Sequence, residues 1–134
     1  MDTESEKKTL KVAVVGAGYW GSNLVRVFHE LGVLATVCDR DIAKLPLVQR
    51  QFPDVCVTQT FNPLLDDASL DALVIATPAE THFTLARIAL LAGKDVFVEK
   101  PLALKPSEGE ELVRIAKESG RILMVGHVLL YHPA

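Results

Sequence analysis

Residues 14–21 read Val-Val-Gly-Ala-Gly-Tyr-Trp-Gly: a β-branched run passes into Gly-x-Gly-x-x-Gly, and a stretch with helical periodicity follows. The spacing gives each glycine its own task. Gly16 permits a tight turn out of a strand. Gly18, lacking a side chain, lets a diphosphate approach the backbone. Gly21 allows the next helix to lie close to the sheet. The free N–H groups and positive dipole end of that helix, at Tyr19 and Trp20, then face the phosphates. The Trp20 side chain itself reads as a packing or interface group. A turn needed for packing alone would carry the same glycines, so the flanking strand and helix decide the reading.

The next β-branched run ends in Thr36-Val37-Cys38-Asp39, which sets Asp39 eighteen residues beyond Gly21. A carboxylate there accepts hydrogen bonds from both hydroxyls of an adenosine ribose. It also repels a 2′-phosphate, which favours NAD over NADP. Arg40 leaves two options open, stacking on adenine or neutralising a 2′-phosphate. Asp39 could instead cap the turn Asp39-Arg40-Asp41, a role that Asp41 can also fill.

Outward from this turn the same alternation repeats. Short apolar runs fall at 11–15, 34–38, 55–58, 72–76, 95–98 and 122–125. Several are apolar throughout, as strands are when both faces of a parallel sheet are covered. Between them lie helical stripes. Leu24, Val27, Phe28 and Leu31 form one, Phe83, Ala86 and Leu90 a second, and Leu112, Ile115 and Ala116 a third. Gly32, Gly93 and Gly120 sit where left-handed C′ glycines belong. The third helix starts either with Pro106 at N1 or with a Ser107–Glu110 capping box. Residues 41–51 form a weaker helix that Pro46 interrupts or delays, and 62–67 hold one turn. Strands alternating with helices predict an α/β fold, a doubly wound parallel sheet of Rossmann type with about six strands.

Composition sets the outer limits. The 134 residues are one domain's worth, 49% apolar and 23% charged, which excludes a disordered chain. A net charge of −3 shows no nucleic-acid footprint and no polybasic membrane face. The longest apolar runs, such as 12–17, are far too short to span a bilayer. Cys38 and Cys56 form no CxxC pair and read as buried thiols of a reducing compartment. The polar start, Met-Asp-Thr-Glu-Ser-Glu, has no apolar core of a secretory signal, so a cytoplasmic location is expected. His127 and His132 do not pair at a spacing that suits a metal, and no metal site is expected.

Ligands of open α/β sheets sit beyond the carboxyl ends of the strands. Three further clusters fall there: Ala76-Thr77-Pro78-Ala79-Glu80-Thr81-His82, Glu99-Lys100-Pro101 and Gly126-His127. With residues 14–21 and Val37-Cys38-Asp39, and with Val98-Glu99-Lys100-Pro101-Leu102-Ala103, they carry a resemblance. Over nearly all of residues 10–134 the chain resembles the N-terminal half of the Gfo/Idh/MocA oxidoreductases. Its Gly-Tyr-Trp-Gly turn and its last ten residues are most similar to the nucleotide-sugar 3-dehydrogenases of that family.

The resemblance implies roles. Thr77 and Pro78 would line the nicotinamide ribose and the diphosphate, with His82 near the same site. Glu99 would contact the nicotinamide side. Lys100 is the implied catalytic residue, an ammonium that hydrogen-bonds a substrate hydroxyl and stabilises the developing alkoxide. A cis bond before Pro101 is implied too. Taken alone, Lys100 reads as a solvated surface lysine, and His82 as a helix N-terminal residue bonded to backbone.

The implied reaction is NAD-dependent oxidation of a secondary alcohol on a sugar or nucleotide sugar. Family members carry a second domain that holds the substrate, and this sequence reaches Ala134 where that domain would begin. The expectation is a disordered tail over 1–9 and a dinucleotide-binding domain over 10–134, binding NAD or NADH but turning over little alone. Val128, Leu129 and Leu130 would then be exposed and favour a homo-oligomer. The rival function is a non-catalytic module that senses dinucleotides or binds partners.

Overall fold

The computed structural model describes residues 9–126. The tail up to residue 8 lies outside them. So do His127, Val128, Leu129, Leu130, Tyr131 and His132, and with them the segment expected to drive self-association.

The strands are β1 (Val12–Val15), β2 (Leu34–Cys38), β3 (Cys56–Thr58), β4 (Ala72–Ile75), β5 (Asp95–Glu99) and β6 (Leu123–Gly126). All pair in parallel, in the order β3-β2-β1-β4-β5-β6. Each begins and ends within a residue of its expected run. The helices are α1 (Tyr19–Glu30), α2 (Leu45–Gln51), α3 (Asn62–Asp66), α4 (His82–Leu91) and α5 (Pro106–Ser119). Single 3-10 turns, Ile42–Lys44 and Ala79–Thr81, precede α2 and α4.

Alternate residues of each central strand feed two separate cores. Val12, Val14, Val37 and Val74 pack with Val25 of α1 and Val48 of α2. Ala13, Val15, Leu73, Ile75, Val96 and Val98 pack with Ala86 and Leu90 of α4 and with Leu112 of α5. Every residue of β1 is buried. Burial on both faces is what allows an uninterrupted apolar strand, at about 1.5–3 kcal/mol for each fully buried valine-sized side chain.

Two expectations change, and two open alternatives are resolved. The face of α1 that meets the sheet runs through Gly21 and Val25, flanked by Leu24 and Phe28, while Val27 and Leu31 are exposed. Gly21 brings the backbone of α1 so close to β1 that the contact centres there and not on the bulkier residues. Cys56 is exposed, not buried, because it opens β3, the edge strand with no neighbour beyond it. Helix α5 starts at Pro106 with no side-chain cap, so the Ser107–Glu110 box is not used. Pro46 lies in the first turn of α2, where its missing N–H costs nothing, and the expected longer helix becomes a 3-10 turn followed by a late start. Gly32, Gly93 and Gly120 take positive φ as expected.

Winding reverses between β1 and β4, since the chain runs outward from β1 through β2 to β3, then returns to β4 on the other side. The carboxyl ends of β1 and β4 therefore diverge into a crevice. This is the switch point where open α/β sheets hold ligands.

Candidate functional site

A cleft of about 790 Å³ opens at that switch point. Its floor is the glycine turn. Gly16 leaves β1 with φ +101°, and its N–H donates to Cys38 O at 2.7 Å. A Cβ on Gly16 would stand 2.6 Å from the Ala76 carbonyl oxygen, so the exit of β4 requires glycine there. A Cβ on Gly21 would fall onto the Gly16 carbonyl oxygen. Gly18 differs: the nearest atom to its missing Cβ is Lys44 Nζ, at 3.9 Å. Packing demands the first and third glycines, whereas the middle one leaves space that the protein does not fill.

Gly18 is also the N-cap of α1, without a side-chain cap, and no acidic residue lies in the first turn. The first N–H groups of a helix have no intrahelical acceptor. The positive end of α1, at Tyr19 and Trp20, thus opens on the cleft with nothing anionic on its own turn to offset it. Tyr19 and Trp20 meet edge to face, ring centroids 5.3 Å apart. Trp20 is 50% exposed and lines the cleft, so of the two expected roles, packing or interface, the core-packing one does not apply.

Asp39 ends β2 beside this turn. Its Oδ2 accepts the Ala17 N–H at 2.7 Å and its Oδ1 the Asp41 N–H at 2.8 Å. Asp41 in turn accepts the Ala43 N–H and caps the 3-10 turn, as expected of it. Arg40 lines the outer edge of the cleft. Lys44 does as well, with Nζ 3.9 Å from Asp39 Oδ2. Sequence reasoning missed Lys44; only a basic residue five positions beyond Asp39 could have signalled it. Burial, with the Asp39 carboxylate adding to it, pushes the neighbouring Cys38 thiol up to about 11. Cys38 is thus a neutral wall of the cleft, not a nucleophile.

The far wall comes from the loop after β4. Thr81 has one O–H, which donates to Pro78 O at 2.6 Å, so the Thr77 O–H donates to Thr81 Oγ1 at 2.6 Å. Thr77 and Pro78 line the cleft, along with Thr81, Thr84 and Leu85. Trp20, Ala76 and Thr77 also belong to a second, smaller cavity of about 330 Å³, which His82, Glu99 and Lys100 complete. The two spaces therefore adjoin. His82 opens α4, is 2% exposed, and sets Nδ1 2.7 Å from Pro101 O and Nε2 2.8 Å from Thr77 O. The Lys100–Pro101 bond is cis, as the resemblance implied. All twelve residues expected at the site border these two spaces except Gly21, which packs beneath them.

The arrangement fits a dinucleotide. It has a cradle that a Cβ at Gly16 or Gly21 would destroy, an open helix N-terminus, a carboxylate just after β2, and an adjoining smaller cavity bordered by a lysine. Among the described residues no group of three or more His, Cys, Asp or Glu could hold a metal, and no helix is long and apolar enough to cross a membrane.

Known proteins share this fold. Residues 10–127 match the oxidoreductase family described as having an NAD-binding Rossmann fold, Gfo/Idh/MocA. The chain belongs to that family. It is 32% identical to UDP-N-acetylglucosamine 3-dehydrogenase of Acidithiobacillus ferrooxidans, across 93% of this chain and 39% of that protein. It is 35% identical to an NADP(+) scyllo-inositol 2-dehydrogenase of Bacillus subtilis, across 89% of this chain and 33% of that one. Among solved structures, GenD2 from gentamicin A biosynthesis in complex with NAD superposes with a TM-score of 0.87 at 34% identity, covering 95% of this chain and 37% of GenD2. The chain thus spans little more than a third of the length of these relatives.

Proposed function

We propose that the cleft binds NAD with its diphosphate against the first turn of α1, its adenosine ribose on Asp39 and its nicotinamide end toward Lys100. An ionised carboxylate offers about four acceptor sites. Ala17 and Asp41 use one each on Asp39, leaving the others for two ribose hydroxyls. Repulsion between Asp39 and a 2′-phosphate favours NAD over NADP. Arg40 and Lys44 temper that preference, and one relative is named for NADP.

The whole protein then oxidises a secondary alcohol of a sugar, cyclitol or nucleotide sugar, the kind of substrate for which two of the relatives are named. When bound, the nicotinamide supplies the hydride acceptor. Lys100 Nζ hydrogen-bonds the substrate hydroxyl oxygen and stabilises the negative charge that develops on it. Thr77 and Pro78 hold the nicotinamide ribose, and Glu99 borders the ring.

The observation that supports this reading is that the cavity lined by Asp39 and the cavity lined by Lys100 share Trp20, Ala76 and Thr77 as walls. Titration with NADH tests it, because Trp20 is the single tryptophan and borders both cavities. The expected result is saturable energy transfer from the indole to the reduced nicotinamide, with a Kd below about 1 mM. Absence of saturation at that level would contradict the assignment.

A further inference from the structure

His82 sits between two loops that both border the smaller cavity. Its Nδ1 lies 2.7 Å from the carbonyl oxygen of Pro101, in the loop after β5. Its Nε2 lies 2.8 Å from the carbonyl oxygen of Thr77, in the loop after β4. Backbone carbonyls accept and never donate. A neutral imidazole has one N–H and one lone pair, so it would turn that lone pair toward one of the two oxygens at hydrogen-bond distance. Both contacts are hydrogen bonds only when both ring nitrogens carry protons. The ring is buried, so water cannot relieve a mismatch there.

We infer that His82 is a positioning residue that donates from both ring nitrogens and thereby ties the Thr77 loop to the Lys100–Pro101 loop, fixing where Lys100 stands. The inference rests on the proposed reading of the smaller cavity as the nicotinamide end of the site. Three groups bear on the charge. Glu99, from β5, borders the same cavity and supplies the opposite sign. Lys100, from the loop that His82 grips, adds a like charge. Glu80, on the 3-10 turn just before α4, lines the neighbouring cleft and is exposed. The helix itself places His82 at its first residue, so the imidazole reaches across to the β5 loop from a rigid base.

The test has two arms on the chain itself. Nitrogen-15 NMR of the histidine rings at pH 7.5 is expected to show both His82 nitrogens protonated; one unprotonated nitrogen would overturn the inference. The second arm titrates His82→Asn with NADH and with ADP, which reaches only the adenosine and diphosphate end. NADH affinity is expected to fall about tenfold, the scale of one lost charge-assisted hydrogen bond, with ADP affinity unchanged. His82→Gln, whose amide N–H groups can serve one carbonyl, is expected to recover part of the loss. Equal weakening of NADH and ADP would mean a general packing role and would overturn the positioning claim. Failure of the unaltered chain to bind ADP would instead contradict the dinucleotide assignment, with the ring-nitrogen signals still deciding the state of His82. Those signals also decide it if the variants fail to fold.

Discussion

The Asp39 carboxylate accepts the Ala17 N–H at 2.7 Å, so the residue that ends β2 is fastened to the turn that leaves β1. The contact fixes the carboxylate at the lip of the cleft, beside Gly18, before any ligand arrives. Asp39→Ala removes this acceptor and that of the Asp41 N–H, along with the carboxylate proposed for the ribose. NADH affinity should fall by at least tenfold, from loss of charge-assisted hydrogen bonds at about 1.5–3 kcal/mol each. NADPH should lose less, because the repulsion disappears too. Parallel NADH and NADPH titrations check both the fall and the change in their ratio.

The glycines separate packing from binding. Gly21→Ala drives a methyl onto the Gly16 carbonyl oxygen, and a helix cannot yield there without leaving the sheet. A loss of about 3 kcal/mol or more in urea unfolding is expected, at the upper end of overpacking. Gly18→Ala meets nothing closer than a lysine tip, and its backbone at φ −75° suits alanine. Its unfolding midpoint should hold or rise slightly, while NADH binding weakens as the methyl occupies the diphosphate's space.

Cys38 and Cys56 should separate in reactivity. Cys56 is exposed, and Cys38 is buried with its thiol held near 11. At pH 8 a thiol reagent should modify one cysteine rapidly, and Cys56→Ser should abolish that phase. The same shift sets an alkaline limit on stability. Between the ordinary thiol value of 9.0 and about 11, the unfolded chain releases a proton that the folded chain keeps. Stability is therefore intact below pH 9 and falls as pH rises through 11, by an amount on the order of 2–3 kcal/mol. Urea unfolding from pH 8 to 11 measures it as the pH-dependent difference between the unaltered chain and Cys38→Ala, which cancels the other groups that titrate there.

At the opposite, amino end of the sheet, Lys94 is buried and donates to the carbonyls of Asp67 and Leu70 at 2.6 and 2.9 Å. Lys94→Met would remove the donor to the Leu70 oxygen, while the Asp67 oxygen would keep the Leu70 N–H at 3.1 Å. A destabilisation of about 1–3 kcal/mol is expected, with NADH affinity unchanged because the cleft lies beyond the other ends of the strands. Chemical unfolding and a binding titration on one preparation test the pair of outcomes.

The alternation of strand and helix was readable because β1 and β4 are buried on both faces, which leaves long apolar runs no other use. The glycine turn was readable because Gly16 and Gly21 answer to backbone atoms and not to side chains chosen by the fold. What the sequence hid depends on distance in space. Nothing local says that His82 touches both Thr77 and Pro101, or that Lys44 swings back to Asp39. The exposure of Val27 and Leu31 was hidden for a related reason: hydrophobic spacing marks a face, but Gly21, which scores as no hydrophobe, decides where that face is. The edge position of β3, and so the exposure of Cys56, follows from strand order, which periodicity does not encode.

The central claim is that the N-terminus of α1 receives a diphosphate while Asp39 holds the attached ribose. Amide chemical-shift mapping of the nitrogen-15-labelled chain during titration with ADP-ribose tests it most directly. The account predicts that the largest saturable shifts fall at Ala17, Gly18, Tyr19 and Trp20 and around Asp39. Shifts confined to another surface, or none as ligand accumulates, would contradict it.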